Sequence, residues 1–385
     1  MITIRKVESR KALKEFISFN QRLYRGNAYA VPDFMEDTLD TFDRKKNAAF
    51  EFCEADCFLA YRDGKLVGRV AAIINHKANK TWGCRNVRFG WIDFVDDPEV
   101  SKTLLDTVAQ WGRDRGMDRI VGPLGFTDMD PEGMLIDGFD QLGTMSTIYN
   151  YPYYATHMEA LGFEKETDWV ERKIMVPHAG HEADSQKYLR VAKMSRERYN
   201  LHVRNFKSHK EIINADGGEY IQKVFGVVNK AYAQLYGYSE MNERQIAQYA
   251  NTYLQFLDMR LLCVVENEAN EPVAMGVGIG SLSRALQKAH GRLWPFGWWH
   301  LLKAIYLKHA PVLDLLLVGV LPEYQNKGVN AILFEKIMPA ATAMGFVWAE
   351  SHPQLEDNEK SQAQWSHLDC TIHKRRRCWG KKIDE

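Results

Sequence analysis

The chain has 385 residues, of which 45% are hydrophobic and 26% are charged, and its 50 Lys and Arg residues balance its 50 Asp and Glu residues. This is an ordinary globular composition with room for two or three domains, and the balanced charge argues against a general nucleic-acid-binding surface. Six cysteines form no CxxC pair, the twelve histidines show no HExxH spacing, and no apolar run reaches the roughly 20 residues of a membrane span. We expect a cytoplasmic protein without a signal peptide, a metal site or a nucleic-acid partner.

The first half of the chain predicts alternating strands and helices. In order, these are a strand at residues 2–4, a helix from Ser9, strands at 57–61 and 66–70, a strand at 87–95, a helix after Glu99 and a strand at 120–121. Ser9 is a typical helix-capping residue. Asp63-Gly64 between the second and third strands is a strong hairpin signal.

The second half repeats this order. It gives a strand at residues 202–203, a helix over 221–235, strands at 261–266 and 272–279, a strand at 313–321, a helix from 329 and a strand at 346–350. We therefore predict an α/β (α+β) chain of two tandem units, each a mixed, mostly antiparallel sheet flanked by helices. The units are residues 1–180 and 200–385, divided near residues 177–185.

The turn after residues 313–321 carries the clearest functional signal. Pro322 ends that apolar strand, a polar turn runs from Glu323 to Gly328, and the helical pattern starts at Val329. A helix start leaves backbone N–H groups without partners and carries the positive end of the helix dipole. Gly328 allows close backbone approach, so the turn predicts a phosphate site. A turn that only joins strand to helix is the competing interpretation.

The matching turn of the first half has the opposite character. It reads Asp96-Asp97-Pro98-Glu99, with three carboxylates and no glycine, and would repel a diphosphate. Only the second half is therefore expected to bind such a group, and the first half shapes an acceptor site or supports the fold. Gly276-x-Gly278-x-Gly280 lies inside a predicted strand and opens no helix, so close packing explains it better than dinucleotide binding.

The segment Gln325-x-x-Gly328-x-Asn330 resembles the Q/R-x-x-G-x-G/A loop of the GNAT acyltransferases, which holds the pyrophosphate of coenzyme A. The departure is Asn330, where that family usually has Gly or Ala. The resemblance implies two tandem GNAT-like domains and acetyl-CoA or a longer acyl-CoA as co-substrate. The cofactor-binding residues it implies are Val318, Gly319, Val320, Gln325, Asn326, Lys327, Gly328, Val329, Asn330 and Asn358.

The family also implies a proton donor that this chain lacks. An Asn after the next strand commonly contacts the cofactor there, and a Tyr seven positions later protonates the departing thiolate. Asn358 matches the Asn, but the seventh position after it is Trp365, whose indole is no acid near neutral pH. Tyr324 or water remains as the donor, or the thiolate leaves unassisted, since a thiol pKa of ~8.5 permits that.

A base is also needed, because an amine must be neutral to attack a thioester. Glu350, at the end of the adjacent predicted strand, is the first candidate, and an ordinary strand-end carboxylate is equally open. His352 and Glu323 are the reserve candidates. Backbone N–H groups of residues 318–320 would stabilise the oxyanion of the attacked carbonyl.

A wider resemblance covers nearly the whole chain. Its motifs are Gly122-Pro123, residues 133–140 (GMLIDGFD), residues 149–154 (YNYPYY), Leu161-Gly162-Phe163, residues 355–358 (LEDN) and the basic end at 373–377 (HKRRR). These look like a bacterial family of tandem GNAT proteins. That family is similar to acyl-CoA-dependent bacterial ceramide synthases, which implies N-acylation of a long-chain, lipid-like amine.

The stretch from Leu293 to Lys308 bears on this acceptor. Its three Trp and one Tyr, flanked by Lys and His, suit an interfacial helix in peripheral contact with the inner membrane, or the wall of a lipid-chain groove. Core packing is the more common use of such aromatics.

Two other kinds of function stay open. The first is a non-catalytic GNAT-like module that binds an acyl-CoA or a protein, with Asn330 and Trp365 as marks of lost chemistry. The second is a peptide-linking aminoacyltransferase, which needs an aminoacyl-tRNA donor. The balanced charge disfavours that donor.

Overall fold

The fold is one central sheet with helices on its faces. The computed structural model describes residues 1–177, 182–358, 362, 365 and 368–383. The strands are β1 Ile2–Lys6, β2 Cys53–Arg62, β3 Lys65–Asn75, β4 Asn86–Phe94, β5 Arg119–Gly122, β6 Met134–Asp137, β7 Glu164–Met175, β8 His202–Arg204, β9 Leu262–Glu266, β10 Pro272–Gly280, β11 Val312–Val320, β12 Trp348–Ser351, β13 Gln354–Leu355 and β14 Cys370–Lys382. The helices are α1 Arg10–Leu23, α2 Met35–Thr41, α3 His76–Trp82, α4 Pro98–Arg113, α5 Tyr153–Ala160, α6 Glu182–Tyr199, α7 His209–Asn214, α8 Tyr220–Tyr232, α9 Glu243–Tyr253, α10 Ser283–Lys288, α11 Gly297–Leu302 and α12 Val329–Ala343.

Local signals set many of these elements, as the sequence predicts. The Ser9 side chain accepts the Ala12 N–H at 3.2 Å and starts α1. Asp63 and Gly64 have φ angles of 51° and 76°, the left-handed pair that joins β2 to β3 in a tight hairpin. In β10, a Cβ added to Gly278 would lie 3.0 Å from a methyl group of Leu313, which confirms that packing explains its glycines.

The two halves exchange their last strands. The sheet order is β1-β2-β3-β4-β5-β14-β7-β12-β11-β10-β9-β8, with β6 added to β14 and β13 to β7. Thus β7, at the end of the first half, pairs with β12 of the second, while β14 pairs with β5 of the first. Strands β7 and β14 pair with each other at the centre. Neither half completes its sheet alone, and the boundary at residues 180–200 stays a prediction.

One parallel pair in each half diverges along its length. In the second half, β11 and β12 are paired from Val312 to Leu315, and β11 continues to Val320 without β12. In the first half, β4 and β5 are paired only over Asn86 to Arg88. Such a divergence exposes the edge of the longer strand, which is where an extended ligand can add to a sheet.

The aromatic stretch from Leu293 to Lys308 is not core. It folds into the short helix α11, followed by a wider π-type turn over Lys303–Leu307. Most of its large apolar side chains are exposed, and Trp294 reaches 77%. The core-packing interpretation of this stretch is therefore wrong. None of the helices in the described residues has the length and apolarity needed to cross a membrane.

Candidate active site

The turn after β11 leaves several amides uncommitted. Residues Pro322–Tyr324 form a single helical turn, and α12 begins at Val329. Between them the backbone is left-handed at Asn326 (φ 58°) and Gly328 (φ 74°). Among the described residues, the amides of residues 326–329 find no hydrogen-bond acceptor. These amides and the positive end of the α12 dipole supply the donors that a phosphate group requires.

Helix α6 holds this turn in place. The Ser195 hydroxyl donates to the Lys327 carbonyl oxygen at 2.8 Å. Gly328 fits closely against the same helix, since an added Cβ would lie 2.7 Å from a methyl group of Val191. The Lys327 ammonium lies 5.0 Å and 5.2 Å from the ring centroids of Tyr199 and Tyr324. The turn therefore keeps a cation beside its amides.

The edge of β11 beside the turn is open towards β12. A bulge at Leu316 interrupts its pairing with β10, because Val277 faces Leu317 while the next residue faces Leu315. The Tyr232 hydroxyl donates to the Val318 carbonyl oxygen at 3.2 Å. The Gln325 side-chain amide donates to the Val320 carbonyl oxygen at the same distance. Side chains thus take up carbonyl groups of this edge that no second strand reaches.

The diverging strands open into a cavity of about 1930 Å³ that both halves line. This volume exceeds the roughly 300–1,000 Å³ of most small-molecule pockets. Its walls are mainly apolar and include residues of the first half such as Trp91 and Ile92 and residues of the second half such as Leu316 and Val318. The cavity is large enough for two substrates bound together.

Most of the predicted cofactor-binding residues lie on this cavity. Those in its lining are Val318, Val320, Gln325, Asn326, Gly328, Val329, Asn330 and Asn358. Gly319 and Lys327 are outside the lining. Gly319 lies under α8, where an added Cβ would be 3.6 Å from Ala231 Cβ, and Lys327 lies at the tyrosine rings. The structure therefore brings the turn, the strand edge and Asn358 together, while their role in binding a cofactor stays a prediction.

Glu350 lies in a buried ion network and is absent from the cavity lining. Its Oε1 atom lies 2.5 Å from His373 Nε2 and 3.0 Å from Lys374 Nζ. Lys374 also contacts Glu171 at 2.8 Å, and Arg376 donates to Glu171 at 2.5 Å. Burial alone would raise the pKa of Glu171, but these two cations hold it below its ordinary value. The structure does not bring Glu350 to the turn, and its role as base stays a prediction that this location disfavours.

Asp314 belongs to the same buried region. It faces Glu350 across the β11–β12 pair and is 3% exposed. Neither of its carboxylate oxygens accepts a hydrogen bond from a described residue. Burial, and then the neighbouring Glu350 carboxylate, raise the pKa of Asp314 to about 7. The charge of the Asp314 carboxyl group therefore changes with pH near neutrality.

His352 is better placed than Glu350 to act as a base. Its amide donates to the Leu315 carbonyl oxygen at 3.1 Å, just where β11 and β12 separate, and the residue lines the cavity. Burial lowers the pKa of its imidazole below the ordinary value, so the ring is neutral at pH 7. Glu323, the other reserve candidate, is exposed and lies outside the lining.

Trp365 and Tyr324 both line the cavity. The buried Trp365 indole donates its Nε1–H to Gln354 Oε1 at 2.7 Å and packs edge-on against the Phe334 ring. It is therefore a fixed wall rather than a source of protons. Tyr324 brings a hydroxyl group to the side of the turn, which agrees with its predicted role without testing it.

Carboxylates of the first half form a further part of the lining that sequence reasoning missed. Asp128, Asp130 and Glu132 line the cavity, and the two aspartates each accept a backbone N–H, at 3.1 and 3.0 Å. Burial raises the pKa of Asp130 to about 7 and raises the pKa values of Asp128 and Glu132. The available signal was three carboxylates within five residues, DMDPE, soon after a strand end. In the described ranges no three His, Cys, Asp or Glu side chains are arranged to hold a metal ion.

Comparison with solved structures identifies the fold. A tandem GNAT protein from the clavulanic acid biosynthesis pathway, solved without AcCoA, superposes with a TM-score of 0.55 at 10% identity, covering 100% of this chain and 99% of that one. A GCN5-related N-acetyltransferase from Sphaerobacter thermophilus gives a TM-score of 0.52 at 12% identity, covering 100% and 96%. The predicted fold is confirmed: the chain has the tandem GNAT fold. No family model matches the sequence.

Two bacterial proteins are similar in sequence. The bacterial ceramide synthase of Caulobacter vibrioides (strain NA1000 / CB15N) is 26% identical over 383 residues, which cover 98% of this chain and 96% of that protein. Protein YghO of Escherichia coli (strain K12) is 24% identical over 337 residues, covering 86% and 81%. With the fold, these likenesses support the predicted class, a tandem GNAT-fold acyltransferase that resembles bacterial ceramide synthases.

Proposed function

We propose that this protein is an acyl-CoA-dependent N-acyltransferase that acylates the primary amine of a long-chain, lipid-like acceptor at a membrane surface. The observation that carries the proposal is the divergence of β11 and β12 beside the amides of residues 326–329, for which no described residue supplies an acceptor, with both opening on one large cavity. A strand edge and a helix start in that arrangement suit an extended thioester with a diphosphate at one end.

The donor would occupy the second half. Its diphosphate would accept hydrogen bonds from the turn amides, with Lys327 as a nearby cation and Asn358 in the lining of the same cavity. The pantetheine would lie along the open edge of β11 from Leu316 to Val320. The acyl chain would then enter the apolar part of the cavity, whose volume accommodates a chain longer than acetyl.

The acceptor would occupy the part of the cavity that the first half lines. An alkyl chain fits its apolar walls, and an ammonium group fits Asp128, Asp130 and Glu132. Burial raises the pKa values of all three carboxylates, and for Glu132 repulsion from Asp128 and Asp130 adds to that rise. A bound cation would stabilise their ionised forms. This chain is similar in sequence to the Caulobacter vibrioides relative, which is named a ceramide synthase. That similarity favours the same class of acceptor.

The chemistry then needs few groups. The bound ammonium group first loses a proton to one of the three carboxylates or to water. The neutral amine nitrogen then attacks the thioester carbonyl carbon, a C–N bond forms and the C–S bond breaks. His352 would take the proton that the amine loses, and Tyr324 or water would protonate the thiolate. Backbone N–H groups of residues 318–320 would stabilise the oxyanion in between. Glu350 remains the alternative base.

The test combines purified protein with acyl-CoAs of several chain lengths and with short and long primary amines. Release of free thiol, with the amide identified by mass spectrometry, is the expected result. The alternative is a non-catalytic module that binds acyl-CoA, and the commitment of the Trp365 indole to Gln354 favours it. Acyl-CoA binding without thiol release across the amine panel would establish that alternative.

A further inference from the structure

We infer that the surface formed by residues 294–308, here called the aromatic surface, docks on an anionic lipid bilayer. This deepens the proposed function, which places the acceptor at a membrane surface, but docking itself requires no acyl transfer. The further statement that an amine lipid enters the cavity here rests on the proposed function.

The aromatic surface exposes an unusual amount of apolar area. Its exposed large side chains are Trp294, Phe296, Trp298, Trp299, Leu302, Tyr306 and Leu307, which is seven of them within fourteen residues. Trp294 and Phe296 are 77% and 72% exposed. Contiguous apolar patches of this kind mark interaction sites. Tryptophan and tyrosine in particular favour the boundary between water and lipid, because each has an apolar body and a polar edge.

The charged residues within this segment of the chain have one sign. From residue 282 to residue 313 the sequence contains no Asp or Glu, although the whole chain has as many acidic as basic residues. The basic residues in this range are Arg284, Lys288, Arg292, Lys303 and Lys308. Lys303 and Lys308 are exposed, and neither forms an ion pair with another described residue. A negatively charged lipid surface complements this arrangement.

The aromatic surface is continuous with the cavity. Trp298, Leu301, Leu302 and Ile305 belong to the cavity lining, so one side of α11 forms a cavity wall while the other is exposed. Phe256, after α9, is also both exposed and part of the lining. A bilayer against this face would place lipid chains beside an apolar entrance, and an amine lipid would reach the carboxylates without crossing water.

Hydrogen bonds fix part of the aromatic surface. The Trp298 indole donates to the Pro295 carbonyl oxygen at 3.1 Å, and its amide donates to the Leu293 carbonyl oxygen at 3.0 Å. At its base, Arg292 donates to Gln21 Oε1 at 2.9 Å. The Trp298 side chain is therefore fixed within the segment, and Arg292 ties the start of the segment to α1.

The experiment is co-sedimentation of the full chain with vesicles of phosphatidylcholine, with and without phosphatidylglycerol. The wild type should bind the vesicles that contain phosphatidylglycerol and should not bind the neutral vesicles. Trp294→Ser with Phe296→Ser should weaken binding by at least about tenfold, and Lys303→Glu with Lys308→Glu should remove the preference for phosphatidylglycerol. All four side chains are exposed, so folding should be unaffected, which thermal unfolding would check.

Matched controls isolate the surface. Val347→Ser with Ile372→Ser removes two apolar side chains that are each 46% exposed elsewhere, and Lys11→Glu with Lys14→Glu reverses two exposed charges on α1. Both should bind vesicles as the wild type does. Equal vesicle binding by all variants would overturn the inference. The inference would also be overturned if the wild type did not bind vesicles and instead formed dimers that the Trp294/Phe296 variant cannot form.

Turnover separates this inference from the proposed function. The aromatic-surface variants should acylate a short, soluble amine at the wild-type rate. They should acylate an amine lipid embedded in vesicles more slowly than the wild type does. Loss of vesicle binding with normal turnover of soluble amine would support docking as a separate property. Vesicle binding by a protein that acylates no amine would leave docking intact and refute only the proposed function.

Discussion

The two strand-to-helix turns of the molecule occupy equivalent places in the two halves and differ in backbone and chemistry. In the second half, Gly328 precedes α12 and the amides of residues 326–329 stay uncommitted among the described residues. In the first half, Asp97 Oδ1 accepts the Glu99 N–H at 3.0 Å, and Arg62 pairs with both carboxylates at 2.6 and 2.8 Å. A helix start that is capped by its own side chain has fewer donors left for a ligand. Capping therefore distinguishes the turn of the first half from the turn that we propose binds a diphosphate.

The strand divergences differ in the same way. Two tyrosines of α5 close the edge of β4: the Tyr153 hydroxyl donates to the Phe94 carbonyl oxygen at 2.6 Å, and the Phe94 amide donates to the Tyr154 hydroxyl at 3.0 Å. On the edge of β11, the described side chains Tyr232 and Gln325 donate to the carbonyl groups of Val318 and Val320, and this edge opens on the cavity. One half thus satisfies its own backbone, and we propose that the other leaves it to a substrate.

The largest expected effect comes from reversing the charge at the open turn. Lys327→Glu should weaken acyl-CoA binding at least about a hundredfold, roughly 3 kcal/mol, because a carboxylate would then repel the diphosphate. Isothermal titration with acetyl-CoA measures this. Lys336→Glu, a charge reversal on the same helix at a residue bonded to Asn205, is the control and should change affinity little. Equal losses in both variants would show that the diphosphate lies elsewhere.

The next effect separates the two candidate bases. His352→Gln should lower kcat about a hundredfold without changing acyl-CoA affinity. Wild-type turnover should rise as pH increases through the His352 pKa, which burial holds below its ordinary value, because the base acts in its neutral form. Glu350→Gln should instead lower the free energy of unfolding by about 3 kcal/mol, because Lys374 would lose a buried partner. A large fall in kcat for the folded Glu350→Gln protein would restore Glu350 as the base.

A smaller effect concerns the paired part of β11, just before the divergence. The raised pKa of Asp314, about 7, means that the folded state holds a proton that the unfolded state releases near pH 4. Stability from this group is therefore present at low pH and is lost as pH rises towards 7. Asp314→Asn should stabilise the protein by about 2 kcal/mol at pH 8 and by much less at pH 5. Denaturant unfolding at both pH values tests this, and a pH-independent difference would contradict it.

The smallest effect is expected at the capped turn. Asp97→Ala should cost about 1 kcal/mol of stability, because the Glu99 N–H loses its acceptor. It should add no acyl-CoA binding, since Tyr153 and Tyr154 still close the strand edge. Asp97→Ser keeps a capping oxygen and should lose less stability. Acyl-CoA binding that survives Lys327→Glu but disappears with Asp97→Ala would assign the donor to the first half.

Much of the fold could be predicted from the sequence because it depends on interactions between residues that are close in the chain. A serine cap, an Asp-Gly hairpin and an apolar strand ending at a proline each act within a few residues, and all three appear where the sequence predicts them. The glycine before α12 belongs to the same group. Its left-handed backbone follows from the glycine itself, which carries no Cβ.

Only the tertiary structure decided which side chains share a space. Glu350 and His352 are two residues apart, yet β12 ends between them at Ser351, so strand alternation no longer fixes the direction of His352. The exchange of β7 and β14 places the carboxylates of the first half on the same cavity as the turn of the second. The aromatic stretch has a core-like composition and is nonetheless exposed, because burial depends on what packs against a residue and not on the residue alone.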